Sequence, residues 1–369
     1  MKYEFSMAFS ILFYTIVCIL AICCMYIAEH KKLRRDQHTF LILSTIFLLI
    51  PALFRYDVGI DYSGYLYYAD NIGEFQRLRD ALDYRKVEDT FIILMFYSNK
   101  IFGTSQIGFS IYAFATQILM VLGIWNFRKY VQPSISLLLY LSALYWSSFN
   151  IFRQSLAIAI VFYAIKYIVL QRNLMKYFGM LAVAILFHNS AIVAVILPVY
   201  FSKRKYGKGI WFLLDYAIPI TMVIFVQLFI QMTAYLPFLS KYTEAYSAYQ
   251  YTTPLNMGFC VQVVIYGMYI LYINTHKNTL SEMQFLFNKS YFYQMIHIIL
   301  SYAVASLSRI TLYFAIFYLL ALSSMCGNYH IFSRKQSVYS VSVIVFAILI
   351  YWLTMKNNGY GQLPFTIRL

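Results

Sequence analysis

Charge is scarce in this chain. Asp, Glu, Lys and Arg make up 12% of its 369 residues, about half the share that a soluble domain carries. That argues against an ordinary water-soluble enzyme, although the length alone would allow about two domains. Cysteine is sparse too. Cys18, Cys23, Cys24, Cys260 and Cys326 lie in apolar runs, with no Cys-x-x-Cys and no Cys/His pairing at zinc spacing. Neither a disulfide framework nor a metal site is suggested, and the thiols read as small hydrophobes. No removable signal peptide is expected either. The first apolar run, 8–28, has one positive charge, Lys2, before it and EHKKLRRD behind it, the pattern of a retained helix with its N-terminus outside. No repeat of fixed period is evident, and only the tyrosine-rich stretch 235–251 approaches low complexity.

Apolar residues are abundant, at 62% with a mean hydropathy of +0.65. Runs near the ~20 residues that cross a hydrocarbon core recur along the whole chain. Spans are expected at about 8–28, 39–54, 106–126, 134–149, 154–170, 209–233, 257–274, 288–305, 309–326 and 337–354. The long apolar stretch 175–201 is broken by His188–Asn189–Ser190 and reads as two short helices meeting on the outer side. Residues 90–104 read as a short helix on the outer surface. The fold class is an all-α polytopic membrane protein of about 10–12 transmembrane helices in one integral membrane domain, 1–369. Two long extracytoplasmic loops, 55–105 and 234–256, interrupt it.

The net charge of +15 would suit a nucleic-acid partner, but its distribution excludes one. The expected inner loops 29–38, 127–133, 171–176, 202–208, 275–290 and 327–335 hold 16 Lys and Arg against 3 acids. The outer segments hold 12 against 10. The excess is a positive-inside topology signal.

Ionisable groups at membrane level are costly and default to functional candidates. Five places qualify, all on the expected outer side. RYDVGIDYSGY, from Arg55, carries Gly59, Asp61, Tyr62 and Tyr65; it could form a site or only a snorkelling arginine with an aromatic belt. Glu88 and Asp89 precede an apolar helix, where Asp89 suits an N-cap. NIFRQSLA, 150–157, holds Arg153 and Gln154 in a short link between spans; the guanidinium fork suits phosphate. FHNSA puts His188 at a helix break, and SLSRITLYF puts Arg309 at a span start. Together, Arg55, Arg153, Arg309, His188 and the carboxylates could bind a diphosphate at the bilayer surface. Arginines would neutralise a leaving pyrophosphate, and a carboxylate or histidine would take a hydroxyl proton.

These residues also match a family pattern. FRYDVGIDYSGY resembles the R-x-x-x-G-x-D-Y signature of EpsG-like proteins, the Wzy-type polymerases of bacterial exopolysaccharide and O-antigen. NIFRQSLAIAI resembles their N-x-x-R-Q-x-L-A element, LFHNSAIVAV their F-H-x-S-A element and SRITLYF their late Arg-x-x-x-Tyr element. Glu88 falls where the family often carries a glutamate, although Asp89 and Thr90 replace the Pro or Gly that often follows. The resemblance implies a GT-C-like membrane enzyme facing the periplasm or outside, and no cofactor. Such an enzyme transfers a glycan from undecaprenyl diphosphate onto a lipid-linked repeat unit, without nucleotide sugar. No Asp-x-Asp pair lies near the site, so no essential metal is expected. On this reading Arg153 and Arg309 hold the donor diphosphate, with Arg55 helping. Asp61 is the first candidate base, with His188 and Glu88 behind it. Gln154 positions a phosphate or hydroxyl, and Tyr62 and Tyr65 line the sugar path. Donor and acceptor glycolipids and membrane lipid are the implied partners, with a chain-length regulator and a flippase as companions.

Other classes fit less well. A flippase or polysaccharide transporter would need polar groups near the bilayer midplane, whereas only Lys166 and Asp215 fall within expected spans. An O-antigen ligase or an O-acyltransferase could use an outer arginine–histidine set, but the R-x-x-x-G-x-D and R-Q elements favour the polymerase.

Overall fold

The computed structural model describes residues 2–84, 87–201, 257–276, 280–303, 307–326 and 334–368. The expected span 209–233, the loop 234–256, the inner loop 202–208 and most of 327–335 lie outside the described residues. What is described is nearly all helical. Among the described residues six helices are long and apolar enough to cross a membrane: Met7–His30, Arg34–Phe54, Gln106–Asn126, Phe152–Val169, Met257–Thr275 and Val338–Asn357. Three shorter apolar ones accompany them, Pro133–Ser142, Leu174–Phe187 and Asn189–Tyr200. The chain is an all-α multi-pass membrane protein.

The described residues form two compact units, Met1–Val195 with Leu322–Leu369, and Ile196–Ala321. In the first unit, β1 (Lys2–Glu4) leads into α1 (Met7–His30), which Ser6 caps by accepting a hydrogen bond from the Phe9 N–H at 3.2 Å. α2 (Arg34–Phe54) packs back along α1. Then come α3 (Tyr62–Glu74), α4 (Leu78–Leu82) and α5 (Asp89–Phe102). α5 ends at Gly103, whose left-handed φ of +67° stops the helix. α6 (Gln106–Asn126) packs against α2 and α9 (Phe152–Val169). The expected span 134–149 is two helices, α7 (Pro133–Ser142) and α8 (Leu144–Asn150), broken at Ala143.

α10 (Leu174–Phe187) ends where the sequence places the break, with His188 extended at φ −159° and ψ 117°. The half beyond it is a 3₁₀ helix, Asn189–Ile196, then the single turn α11 (Leu197–Tyr200). The Tyr177 hydroxyl donates to the Ala194 carbonyl at 2.5 Å and occupies an acceptor of that looser ladder.

In the second unit, α12 (Met257–Thr275) and α13 (Glu282–Ala303) precede α14 (Leu307–Thr311). α13 begins six residues before the expected span 288–305. Lys289, counted by sequence with the inner loop 275–290 that overlaps this span, is fully buried on the helix. His297, on the same helix, shares a hydrogen bond with the Tyr200 hydroxyl at 2.8 Å and stacks on Phe314 at 3.9 Å. These contacts make it a core residue. α15 (Phe317–Met325) closes the expected span 309–326. The rest of the described chain belongs to the first unit, where α16 (Arg334–Asn357) leads to β2 (Thr366–Arg368).

β1 and β2 pair antiparallel, with Lys2 opposite Arg368. The Lys2 ammonium also meets the Asp57 carboxylate at 2.5 Å. The described ends and the loop after α2 thus share one edge of the first unit. At the other end of α1, the Glu29 carboxylate takes the Ser134 N–H and hydroxyl at 3.1 and 2.7 Å and so caps α7.

Single cysteines at Lys2 and Arg368, in a background without the native cysteines, should therefore react with a membrane-impermeant maleimide from the same side of the membrane. Labelling from opposite sides would contradict the shared edge.

Candidate functional site

The site is built on a loop that leaves α2 and cannot run straight. Gly59 has a φ of +117°, and a Cβ there would stand 2.3 Å from the Phe149 carbonyl oxygen. Glycine alone tolerates both the dihedral and the approach. Arg55 reaches the same oxygen. Its guanidinium donates to the Phe149 carbonyl, and to that of Val58 at 3.3 Å, and lies over the Phe149 ring at 4.7 Å. Arg55 is 2% exposed. Burial pushes its pKa down to about 10, which leaves it charged at neutral pH.

A third bond closes the dock: the Asp61 N–H donates to Asn150 Oδ1 at 2.7 Å. From the other side the C-terminal segment clasps the loop. The Gly59 N–H donates to the Gly361 carbonyl at 2.9 Å, and the Tyr56 N–H to that of Thr366 at 2.7 Å. Arg55, expected to help with a diphosphate, is buried and uses Nη1 to hold the scaffold. Tyr62 is also buried. Its hydroxyl donates to Gln106 Oε1 at 2.7 Å, and burial pushes its pKa up to about 12. It holds α3 to α6 and stands in the core.

The corner that receives this loop carries Arg153 in the first turn of α9. Its guanidinium lies 5.1 Å from the Tyr65 ring centre and 5.4 Å from that of Phe91. Tyr65 in turn packs on Phe152 at 4.3 Å. The aromatic walls hold the guanidinium by cation–π attraction and exclude most water. Arg153 Nη1 donates to Glu88 Oε2. The other oxygen of Glu88, Oε1, lies 2.8 Å from His188 Nδ1. One carboxylate thus joins residues 65 and 100 positions away along the chain. Side-chain exposures of 15% for Arg153, 10% for Glu88 and 23% for His188 keep all three reachable.

Local structure explains the meeting. Glu88, and not Asp89, is the N-cap residue of α5; Asp89 is the first helical residue, which corrects the sequence expectation. Glu88 makes no capping bond, so its carboxylate is free to cross to α9 and α10. The Thr90 hydroxyl donates to the Leu186 carbonyl at 2.5 Å and ties the start of α5 to the end of α10. That brings Glu88 beside His188.

Two features favour an anion here. Arg153 Nε is buried with no hydrogen-bond partner among the described residues. No side chain caps α9, so the positive end of its dipole stands beside the guanidinium.

The other expected residues are placed as follows. Gln154 is buried in α9, at 3% exposure. Asp61 precedes α3 one turn before Tyr65, is partly exposed, and its carboxylate makes no hydrogen bond among the described residues. Arg309 is exposed on α14 of the second unit and is described there by itself. Among the described residues no group of three or more His, Cys, Asp or Glu gathers as a metal site would. Sequence reading missed Asn150 as the loop's anchor, Phe91 as a wall for Arg153, and the clasp from 358–368. For Asn150 the signal was its place in N-x-x-R-Q.

The chain matches the family model of the EpsG family over residues 38–367. No curated protein and no solved structure matches it.

Gly59→Ala should cost roughly 1–3 kcal/mol of local strain. In purified protein this should appear as a lower thermal aggregation midpoint, with a larger drop than Gly64→Ala, where nothing lies within 4 Å of the added Cβ. Equal midpoints for the two variants would contradict the dock.

Proposed function

We propose that this chain, which belongs to the EpsG family, joins lipid-diphosphate-linked oligosaccharide repeat units into a longer glycan at the outer face of a bacterial cytoplasmic membrane. Family membership and the apolar helices support a membrane protein of polysaccharide biosynthesis with a polymerase-type role. The observation that carries the finer reading is the centre formed by Arg153, Glu88 and His188.

The donor is a glycan on undecaprenyl diphosphate and the acceptor a lipid-linked repeat unit. An acceptor hydroxyl attacks the anomeric carbon of the donor's first sugar. The bond from that carbon to the diphosphate oxygen breaks, and its electron pair leaves with undecaprenyl diphosphate. Arg153 neutralises the charge that develops on this leaving group, held in place by its aromatic walls. His188, oriented by Glu88, takes the proton of the attacking hydroxyl. Asp61, the first base candidate by sequence, offers its open carboxylate to acceptor hydroxyls, and Tyr65 offers a flat face to a sugar ring. Arg55, Gly59 and Asn150 fix the loop against the α8–α9 corner. A part for Arg309 in holding the donor rests on the sequence resemblance alone. The reaction is read as metal-independent, the leaving-group charge falling to arginine. The outer-face assignment rests on the basic inner loops.

Arg153→Ala should lower chain extension in cells about 10²–10³-fold, the usual loss when one transition-state donor is removed, at unchanged membrane levels. Single lipid-linked repeat units should accumulate outside. Accumulated long lipid-linked chains would indicate a ligase, and units retained inside a flippase. Near-normal polymer would remove Arg153 from the mechanism.

A further inference from the structure

We propose that the Glu88–Arg153 ion pair is a latch that the donor's diphosphate opens, so that the base becomes active only when a donor is bound; this rests on the polymerase reading above. One carboxylate serves two partners. Its Oε2 accepts from the Arg153 guanidinium and its Oε1 faces His188 Nδ1. Each bond weakens what the other partner could do. A guanidinium already neutralised by a carboxylate is a poorer anion site. A carboxylate shared with a guanidinium is a poorer support for an imidazolium.

The geometry says which bond yields. Arg153 lies against the neighbouring rings of Tyr65 and Phe91, and these contacts do not depend on its bond to Glu88. Its Nε is buried without a hydrogen-bond partner among the described residues. A guanidinium offers five N–H donors in one plane, and the bond to Glu88 occupies Nη1. A diphosphate can therefore engage Nε and the rest of the fork while it competes for Nη1, beside the uncapped start of α9. Two phosphate groups compete for one arginine against one carboxylate. Glu88 then keeps only His188, and its full charge supports the imidazole as that ring accepts the acceptor's proton. In the transfer, the acceptor oxygen bonds to the anomeric carbon, the diphosphate leaves with its electron pair, and the proton passes to His188. When undecaprenyl diphosphate departs, the imidazole returns its proton to water and Arg153 re-forms the pair with Glu88. The acceptor is thus activated only after the donor is seated. Glu88 is a positioning residue here and His188 the catalytic one.

The test is the affinity of the full-length protein in lipid nanodiscs for undecaprenyl diphosphate, beside its rate of chain extension. Glu88→Gln keeps the shape and removes the charge that holds Arg153. The latch predicts about tenfold tighter binding together with a loss of chain extension of at least a hundredfold. Unchanged affinity with lost activity would overturn the latch and leave the polymerase reading standing, and so would weaker affinity, which would make Glu88 structural. Arg153→Ala is the companion variant. If it binds undecaprenyl diphosphate as wild type does, the donor assignment itself falls.

Discussion

The carbonyl oxygen of Phe149 is the point on which the rest of the site depends. It lies in the last turn of α8, and two residues of a distant loop are shaped to it. Arg55 donates to it, and Gly59 presses its bare backbone against it. Neither could be replaced by a residue of similar polarity, since one contact needs a charged fork and the other needs no side chain. Asn150, the next residue along, takes the Asp61 N–H. The corner therefore has a fixed register with α3, and Tyr65 on α3 has a fixed register with Arg153. Burying a guanidinium for this purpose is costly, as its lowered pKa records. The return is precision at a place where the membrane edge would otherwise leave a loose loop.

Charge in this protein is sparse, and several of the charges among the described residues have a defined partner. Glu29 caps α7 at one end of α1, Lys2 meets Asp57 at the other, and Glu88 joins Arg153 and His188. Inside an apolar bundle an unpaired ion is expensive, so a group left without a partner is informative. Arg153 Nε is such a group. It lies beside a helix start, on a guanidinium packed against two aromatic rings, a setting that suits a phosphate. Electrostatics and packing thus converge on one arginine.

Much of this was legible in the chain itself. The apolar runs gave the helices, because a span must satisfy every backbone group internally and announces itself by length. The break at His188 was visible as a polar triplet in an apolar stretch. The grouping of Arg153, His188 and Glu88 was legible as chemistry and position, and only the fold reveals that they share one carboxylate. Other roles were not legible. Arg55 and Tyr62 looked like site residues because both are polar and stand at a membrane edge, yet their partners, Phe149 and Gln106, lie 94 and 44 residues away. Asp89 looked the better cap because propensity favours Asp at that position, but the helix begins one residue earlier and Glu88 spends its carboxylate elsewhere. Kinks such as that at Ala143 carry no Pro or Gly to announce them. The clasp by 358–368 joins segments some 300 residues apart largely through backbone hydrogen bonds to residues 56–60, which no local side-chain pattern announces.

The measurement that tests the central claim most directly is a reconstitution. The full-length protein in lipid would receive a synthetic undecaprenyl-diphosphate-linked repeat unit and no nucleotide sugar, and the products would be separated by size. The account predicts a ladder of glycans that differ by one repeat, with undecaprenyl diphosphate released once per step. A folded protein that leaves its native repeat unit unextended would contradict it.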